Sequence, residues 1–226
     1  MIVLLPVYRP SHRLPALVSA LRDAAPGCRV VVVDDGSGPS AATVLDEAGR
    51  LGCDVRRHPA NRGKGAALRT GFRHVARAYP GRDVVSADAD GQHGVPDILR
   101  VADRVAVTAH LVLGVRRFTG RVPLRRRFGN SLTRLLFRAA TGRLVEDTQT
   151  GLRGYPHALF GWLDTVPGDR FEYEMNVLIE AARAGRPIEQ VRVATTYVDG
   201  GGSHFGSVTD SARIYRSLLL ARRRPS

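Results

Sequence analysis

Short apolar runs alternate with helix-periodic stretches along the first half of the chain, and this alternation restricts the fold more than any other feature. Ile2-Val3-Leu4-Leu5 stops at Pro6 and reads as a buried strand. Leu14, Leu17, Val18 and Leu21 then recur at helical spacing between His12 and Ala24, with Ser11 as candidate cap. The pattern repeats. Arg29 to Val33 is a β-branched strand, Ser40 to Leu51 a helix, Gly52 to His58 a strand and Lys64 to Tyr79 a helix. Val84-Val85 opens a fourth strand, Pro96 to Val105 is helical, and Leu111-Val112-Leu113 is a fifth strand. Strands alternating with helices across short connections predict an α/β fold with a mostly parallel sheet flanked by helices.

In such sheets ligands sit outside the carboxyl ends of the strands. Polar residues fall at those ends: Tyr8 after the first strand, Asp34-Asp35 after the second, Asp88 and Asp90 after the fourth, Arg116 after the fifth. Their coincidence argues for one site along one sheet edge. The second half is less regular. Leu124 to Ala140 reads as a helix with Phe128, Leu132, Leu135, Leu136 and Ala139 apolar and Arg127, Arg134 and Arg138 on another face. Glu172 to Ala184 is a helix, Ile188 to Tyr197 alternates like a strand, and Val208 to Arg222 is a last amphipathic helix. Its stripe is Val208, Ala212, Tyr215 and Leu219, and it ends in Arg222-Arg223-Arg224.

Composition narrows the class. At 226 residues with 43% hydrophobic side chains, the chain is expected to form one domain (1–226) with a sufficient core. Two cysteines, Cys28 and Cys53, exclude a disulfide scaffold and a four-cysteine zinc site, and are expected in the core. No apolar run approaches the ~18 residues of a membrane span, and Met1 to Tyr8 is too short for a secretory signal. A cytoplasmic chain without a transmembrane domain is expected. The formal charge is +13, and Lys64 is the only lysine among 34 basic residues. Codon bias accounts for arginine over lysine but not for the positive excess, which points to a polyanionic neighbour: nucleic acid, an anionic membrane surface or phosphorylated substrates. With 6% aromatics and no basic–aromatic interleaving, single-stranded nucleic acid is disfavoured.

Asp88-Ala89-Asp90 is the sharpest motif. Two carboxylates separated by one residue at a strand end can both approach one hard cation, and Mg²⁺ or Mn²⁺ takes oxygen ligands while bridging to substrate phosphates. The competing reading is a solvated acidic turn. Asp34-Asp35-Gly36-Ser37 offers carboxylates for ribose or base donors, or is an ordinary turn. Asn61-Arg62-Gly63-Lys64-Gly65 lacks the spacing of a nucleotide-triphosphate loop, since Gly65 follows Lys64 and His58 stands where the first glycine belongs. It remains a glycine-rich entry to a helix N-terminus, suited to anionic groups or serving only as a helix-entry loop. Arg116, Arg117, Arg125, Arg126 and Arg127 are candidates for phosphate recognition, with solvated charge as the alternative. Glu174 reads as a solvated helix face and His204 as a loop residue.

Taken in order, Leu4-Leu5-Pro6-Val7-Tyr8, Val32-Val33-Asp34-Asp35-Gly36-Ser37, Asn61-Arg62-Gly63-Lys64-Gly65-Ala66-Ala67 and Asp88-Ala89-Asp90-Gly91-Gln92-His93 resemble a family 2 glycosyltransferase of the GT-A fold. Within that family the chain is similar to the polyprenyl-phosphate sugar synthases, of the dolichyl-phosphate mannose synthase type. Asp147 to Gly154 and Phe171 to Asn176 resemble a bacterial subgroup often fused to a small membrane domain, which this sequence does not contain.

The resemblance implies that Pro6, Tyr8, Asp34 and Asp35 hold the nucleotide, with Lys64 among the donor-binding residues. It implies that Asp88, Asp90 and Gln92 bind Mg²⁺ or Mn²⁺, and that Arg116 and Arg127 face phosphate. Ser203-His204 stands where the synthases carry Ser-Lys near the donor diphosphate, and Asp147 has a positioning role first and a base role second. The implied reaction is inverting, metal-dependent transfer of a hexose from a UDP- or GDP-sugar to polyprenyl phosphate. Residues 1–115 would serve the donor and 116–226 the acceptor. The alternatives are the same transfer to a soluble small-molecule acceptor, and a non-catalytic nucleotide-sugar or anionic-surface binding module. The partners implied are the nucleotide sugar, the acceptor, and an anionic membrane surface at the inner face or a separate membrane protein, with no nucleic acid.

Overall fold

The computed structural model describes residues 1–116, 124–194 and 212–218, with side chains given from residue 131 onward in the helix that begins at Leu124. Seven strands form one sheet in the order β3-β2-β1-β4-β6-β5-β7. They are β1 (Ile2–Val7), β2 (Arg29–Asp34), β3 (Asp54–Arg57), β4 (Val84–Ser86), β5 (Leu111–Arg116), β6 (Arg153–Tyr155) and β7 (Ile188–Val193). All pairings are parallel except those of β6, which runs antiparallel between β4 and β5. The mostly parallel α/β sheet expected from the alternation is therefore present. β3 is shorter than Gly52 to His58, β5 runs on to Arg116, and the three-residue β6 has no periodic signal in the sequence.

Helices α1 (Arg13–Ala24), α2 (Ala42–Arg50), α3 (Lys64–Ala78), α4 (Val95–Thr108), α5 (Leu124–Thr141), α6 (Phe160–Thr165) and α7 (Glu172–Arg183) cover the two faces. β1 is apolar throughout and β2 is apolar from Val30 to Val33 because both faces of the sheet are covered there. Ile2, Leu4, Val31 and Val33 join the core that holds Phe72 of α3, Phe137 of α5 and Val177 and Leu178 of α7. Val3, Leu5, Val30 and Val32 join the opposite core, with Leu14 and Val18 of α1, Leu45 of α2 and Ile98 and Val101 of α4. This is the period-2 consequence of strand geometry. Cys28 lies in the second core and Cys53 packs against it, as expected.

At the entry of α1, Ser11 Oγ accepts from Arg13 N at 3.4 Å and the Ser11 carbonyl from Leu14 N at 3.0 Å, so Ser11 caps the helix as expected although His12 is the residue just before it. Two local readings differ from expectation. On α5 Thr133 and Phe137 are buried and Leu136 packs against the core as expected, whereas Leu135 is 64% exposed beside exposed Arg134 and Arg138. In the C-terminal helix, of which 212–218 is described, the buried residues are Ile214 and Leu218, and Ala212 is exposed. An (i, i+4) pair packs on the protein body there in place of the expected Ala212, while Val208 and Leu219 of the expected stripe lie outside the described residues. Among the described residues no helix is long and apolar enough to cross a membrane.

Candidate active site

A cleft of about 710 Å³ opens at the carboxyl edge of the sheet. It gathers Pro6 near the end of β1 and Tyr8 just after it, Asp35 after β2, Lys64 at the start of α3, Asp88, Asp90 and Gln92 after β4, and Arg116 at the end of β5. Parallel strands put all these ends on one side. The antiparallel β6 brings its own beginning to that side: Arg153 lies opposite both Ser86 and Leu113, so Thr148 and Gln149 also line the cleft.

Asp34 and Asp35 differ in what they do. Asp34 is absent from the cleft wall. Its Oδ1 accepts from Ser37 N at 3.1 Å and from Ser37 Oγ, and Ser37 Oγ in turn accepts from Arg9 N at 2.7 Å. It thus fixes the turn that presents Tyr8. Asp35 lines the cleft with three N–H donors already on it: His58 Nδ1 at 2.8 Å, Arg62 N at 2.9 Å and Gly63 N at 2.7 Å. Those bonds hold the Asn61–Gly63 loop open at φ +106° for Gly63, a conformation that favours glycine. A Cβ there would also lie 2.3 Å from Asp169 O.

The acidic motif is built into a charged network. Lys64 Nζ lies 2.8 Å from Asp88 Oδ1 and 2.9 Å from Glu174 Oε2. Glu174 is 6% exposed, which corrects its reading as a solvated face. Burial by itself would push the Asp88 carboxyl up, but the Lys64 ammonium, with His93 behind it, holds it well below the usual carboxylate range. Burial likewise opposes the charge on Lys64, and the Asp88 and Glu174 carboxylates overcome it and raise the ammonium above its ordinary value. Asp90 accepts from Gln92 N at 3.1 Å and from Gln92 Nε2. Its carbonyl accepts from Arg13 Nη1 at 2.9 Å, tying the motif to α1. A Cβ on Gly151 would come within 2.2 Å of Asp88 Oδ2 and so would displace that carboxylate.

Among the described residues no three His, Cys, Asp or Glu side chains gather closely enough to hold a metal alone. Asp88 and Asp90 instead offer two carboxylates toward an open cleft. That donor set fits a hard divalent cation that completes its shell with substrate phosphates and water.

On the opposite wall Arg116 donates from Nε to Asp147 Oδ2 at 2.6 Å and from Nη2 to Asp147 Oδ1 at 3.1 Å. Asp147 is wholly buried at 0% exposure, while the Arg116 side chain keeps 19%. The pair is bidentate, the geometry that fixes a guanidinium plane. The sequence reading missed Arg153, which is 1% exposed and donates to the carbonyls of Thr150 (2.9 Å), Glu174 (2.6 Å) and Thr148 (3.1 Å). The usable signal for Glu174 was α7 itself. Tyr173, Met175, Val177, Leu178 and Ile179 are too many apolar residues for a one-faced surface helix. Arg127 lies in the first turn of α5, with its side chain outside the described residues. Ser203, His204 and Arg222 to Arg224 also lie outside them.

Comparison with known proteins bears on the chemistry of this cleft. The family model described as "Glycosyl transferase family 2" matches residues 2–161. An undecaprenyl-phosphate mannosyltransferase of Micrococcus luteus is 31% identical over 88% of this chain and 83% of its own length. A polyprenol monophosphomannose synthase of Mycolicibacterium smegmatis is 27% identical over 86% of this chain and 77% of its own. A glucosyl-3-phosphoglycerate synthase of Mycobacterium tuberculosis, solved with Mn²⁺, UDP and glucosyl-3-phosphoglycerate, superposes with a TM-score of 0.73. That likeness spans 100% of this chain and 80% of the other at 19% identity, and at that identity it speaks for the fold.

Proposed function

The chain belongs to glycosyl transferase family 2, it is a glycosyltransferase with the GT-A fold, and from that premise we propose that it moves a hexose from a UDP- or GDP-sugar to a polyprenyl phosphate, with inversion. The relatives named for undecaprenyl and polyprenol acceptors support the acceptor class. One observation in the cleft carries the choice of an acceptor that arrives already ionised: Asp147 is wholly buried with both oxygens on Arg116. A hydroxyl acceptor needs a general base within reach of its proton. A phosphate oxyanion needs a positioned cation instead, and a guanidinium held flat by Asp147 at the cleft wall is such a group.

In this reading Pro6, Tyr8 and Asp35 receive the nucleotide, and Asp34 acts behind them through Ser37. Asp88 and Asp90 hold a divalent cation, Mg²⁺ or Mn²⁺, with Gln92 steadying Asp90. When bound, that ion supplies Lewis-acid neutralisation of the leaving diphosphate. Arg116 orients the acceptor phosphate, and Arg127 assists it from α5. The acceptor oxygen forms its bond to the anomeric carbon as the bond from that carbon to the diphosphate oxygen breaks, and the bonding pair leaves with the nucleotide. No proton is moved, so Asp147 orients Arg116 and does nothing further. Residues 1–115 serve the donor and 116–226 the acceptor within one domain, working at the inner membrane surface where the acceptor headgroup lies.

The test is a product assay with a panel of UDP- and GDP-sugars, with polyprenyl phosphate, with water-soluble phosphorylated acceptors, and with none. A lipid-linked monophosphosugar as product, lost in Asp90→Ala and in excess chelator, is the expected result. Turnover of a soluble acceptor with none of the lipid would replace the acceptor assignment. Full activity in chelator would remove the cation.

A further inference from the structure

Glu174 is a buried charge that this reaction does not use. Its Oε2 and Asp88 Oδ1 share one ammonium, Lys64 Nζ, at 2.9 and 2.8 Å. Behind Glu174 stands Arg153, whose Nε is 3.5 Å from Glu174 Oε1. The four groups, all of which line the cleft, therefore alternate in sign: Asp88, Lys64, Glu174, Arg153. His93 Nε2 lies 3.9 Å from the other Asp88 oxygen. The row is anchored at Arg153 and at Lys64. Arg153 donates to the Glu174 carbonyl at 2.6 Å, and the α3 turn that carries Lys64 is tied to the segment before α7 by Ala66 N donating to Asp169 O at 2.9 Å.

An ammonium with only 14% of its side chain exposed keeps a carboxylate partner, because a largely buried charge left unpaired is destabilising. With Asp88 as its sole partner, Lys64 would put its full charge where an incoming cation must go, and like charges a few ångströms apart at low dielectric repel strongly. Glu174 balances the Lys64 charge, so the three groups together keep a net negative charge at the cleft. We propose that Glu174 is a positioning residue that draws Lys64 partly off Asp88 and so keeps Asp88 able to bind a divalent cation. The inference rests on Asp88 and Asp90 being the cation ligands.

The experiment is titration of the full chain with Mn²⁺ alone, read by loss of the electron paramagnetic resonance signal of the free aqueous ion. Wild-type binding that Asp90→Ala removes is the control on the underlying reading. If the wild type takes up no Mn²⁺, or Asp90→Ala binds it equally, that reading fails and takes the inference with it. With the control met, Glu174→Gln raises the Mn²⁺ dissociation constant by about tenfold or more. Lys64→Met lowers it, and Lys64→Met/Glu174→Gln returns near the wild type. A merely structural Glu174 would weaken binding further in the double variant, and that pattern overturns the inference. So does Glu174→Gln binding Mn²⁺ like the wild type while Asp90→Ala does not, which leaves the cation site standing. Should Glu174→Gln fail to fold, Lys64→Met decides, and binding no tighter than the wild type refutes the role.

Discussion

The pair Arg116–Asp147 is asymmetric in burial, and the asymmetry orders the stability of its variants. Arg116→Ala strands a carboxylate that is 0% exposed and retains one donor, Gln149 N at 3.1 Å. Removing one partner of a buried pair in this way costs roughly 3–5 kcal/mol. Asp147→Asn keeps the side-chain shape and an acceptor oxygen for Arg116, whose side chain is 19% exposed at the cleft. Water there solvates part of the charge, so the cost falls to about 1–3 kcal/mol. At roughly 2–4 °C per kcal/mol for a chain of this size, Arg116→Ala melts roughly 6–20 °C below the wild type and Asp147→Asn roughly 2–12 °C below it. The double variant Arg116→Ala/Asp147→Asn is more stable than Arg116→Ala alone, since no charge is left stranded. Urea unfolding at fixed pH, followed by circular dichroism, measures all three. If Asp147→Asn proves as destabilising as Arg116→Ala, or the double variant falls below both, then burial does not govern this pair.

Gly151→Ala should abolish cation-dependent transfer while keeping most of the fold, because its Cβ would sit 2.2 Å from Asp88 Oδ2 and displace that carboxylate; unaltered turnover would show that Asp88 has room to move. Cosedimentation with anionic liposomes should occur at low salt, weaken at high salt and fall in Leu135→Asp, since exposed Leu135 lies between Arg134 and Arg138 on α5; protein left in the supernatant at low salt would favour a soluble acceptor. Burial pushes the Cys53 thiol up to about 11, so at pH 8 its alkylation in the folded protein should be far slower than in urea, where the unfolded thiol forms thiolate more readily; equal rates in mass spectrometry would contradict the burial.

Much of the fold was legible because the signals are local. A four-residue apolar run ending at Pro6, β-branched Val30 to Val33 and the 3.6-residue spacing of Leu14, Leu17, Val18 and Leu21 each report a backbone preference from neighbours in the chain. Parallel strands followed from alternation, and the placing of Tyr8, Asp35, Asp88 and Arg116 at one edge followed from parallelism. The sequence alone therefore determined the class of fold, the edge that carries the site, and the acidic motif on it.

The partner of each charge was decided only in three dimensions. Lys64 and Glu174 are far apart in the chain, and nothing local distinguishes a Glu that meets a buried ammonium from one that faces water. The antiparallel β6 is three residues long, too short for a periodic signal, yet it turns Arg153 and the Thr148–Gln149 turn toward the cleft. Asp34 and Asp35 are adjacent and chemically identical. Successive residues at a strand end leave in opposite directions, so one carboxylate closes a turn on Ser37 and the other holds the wall of the cleft. Helical spacing marked both α5 and the last helix as amphipathic, but a period places a stripe only up to rotation. Packing against the sheet chose Phe137, Ile214 and Leu218 for the core and left Leu135 outside, because burial is set by the shape of the surface met and not by the hydropathy of the helix that meets it.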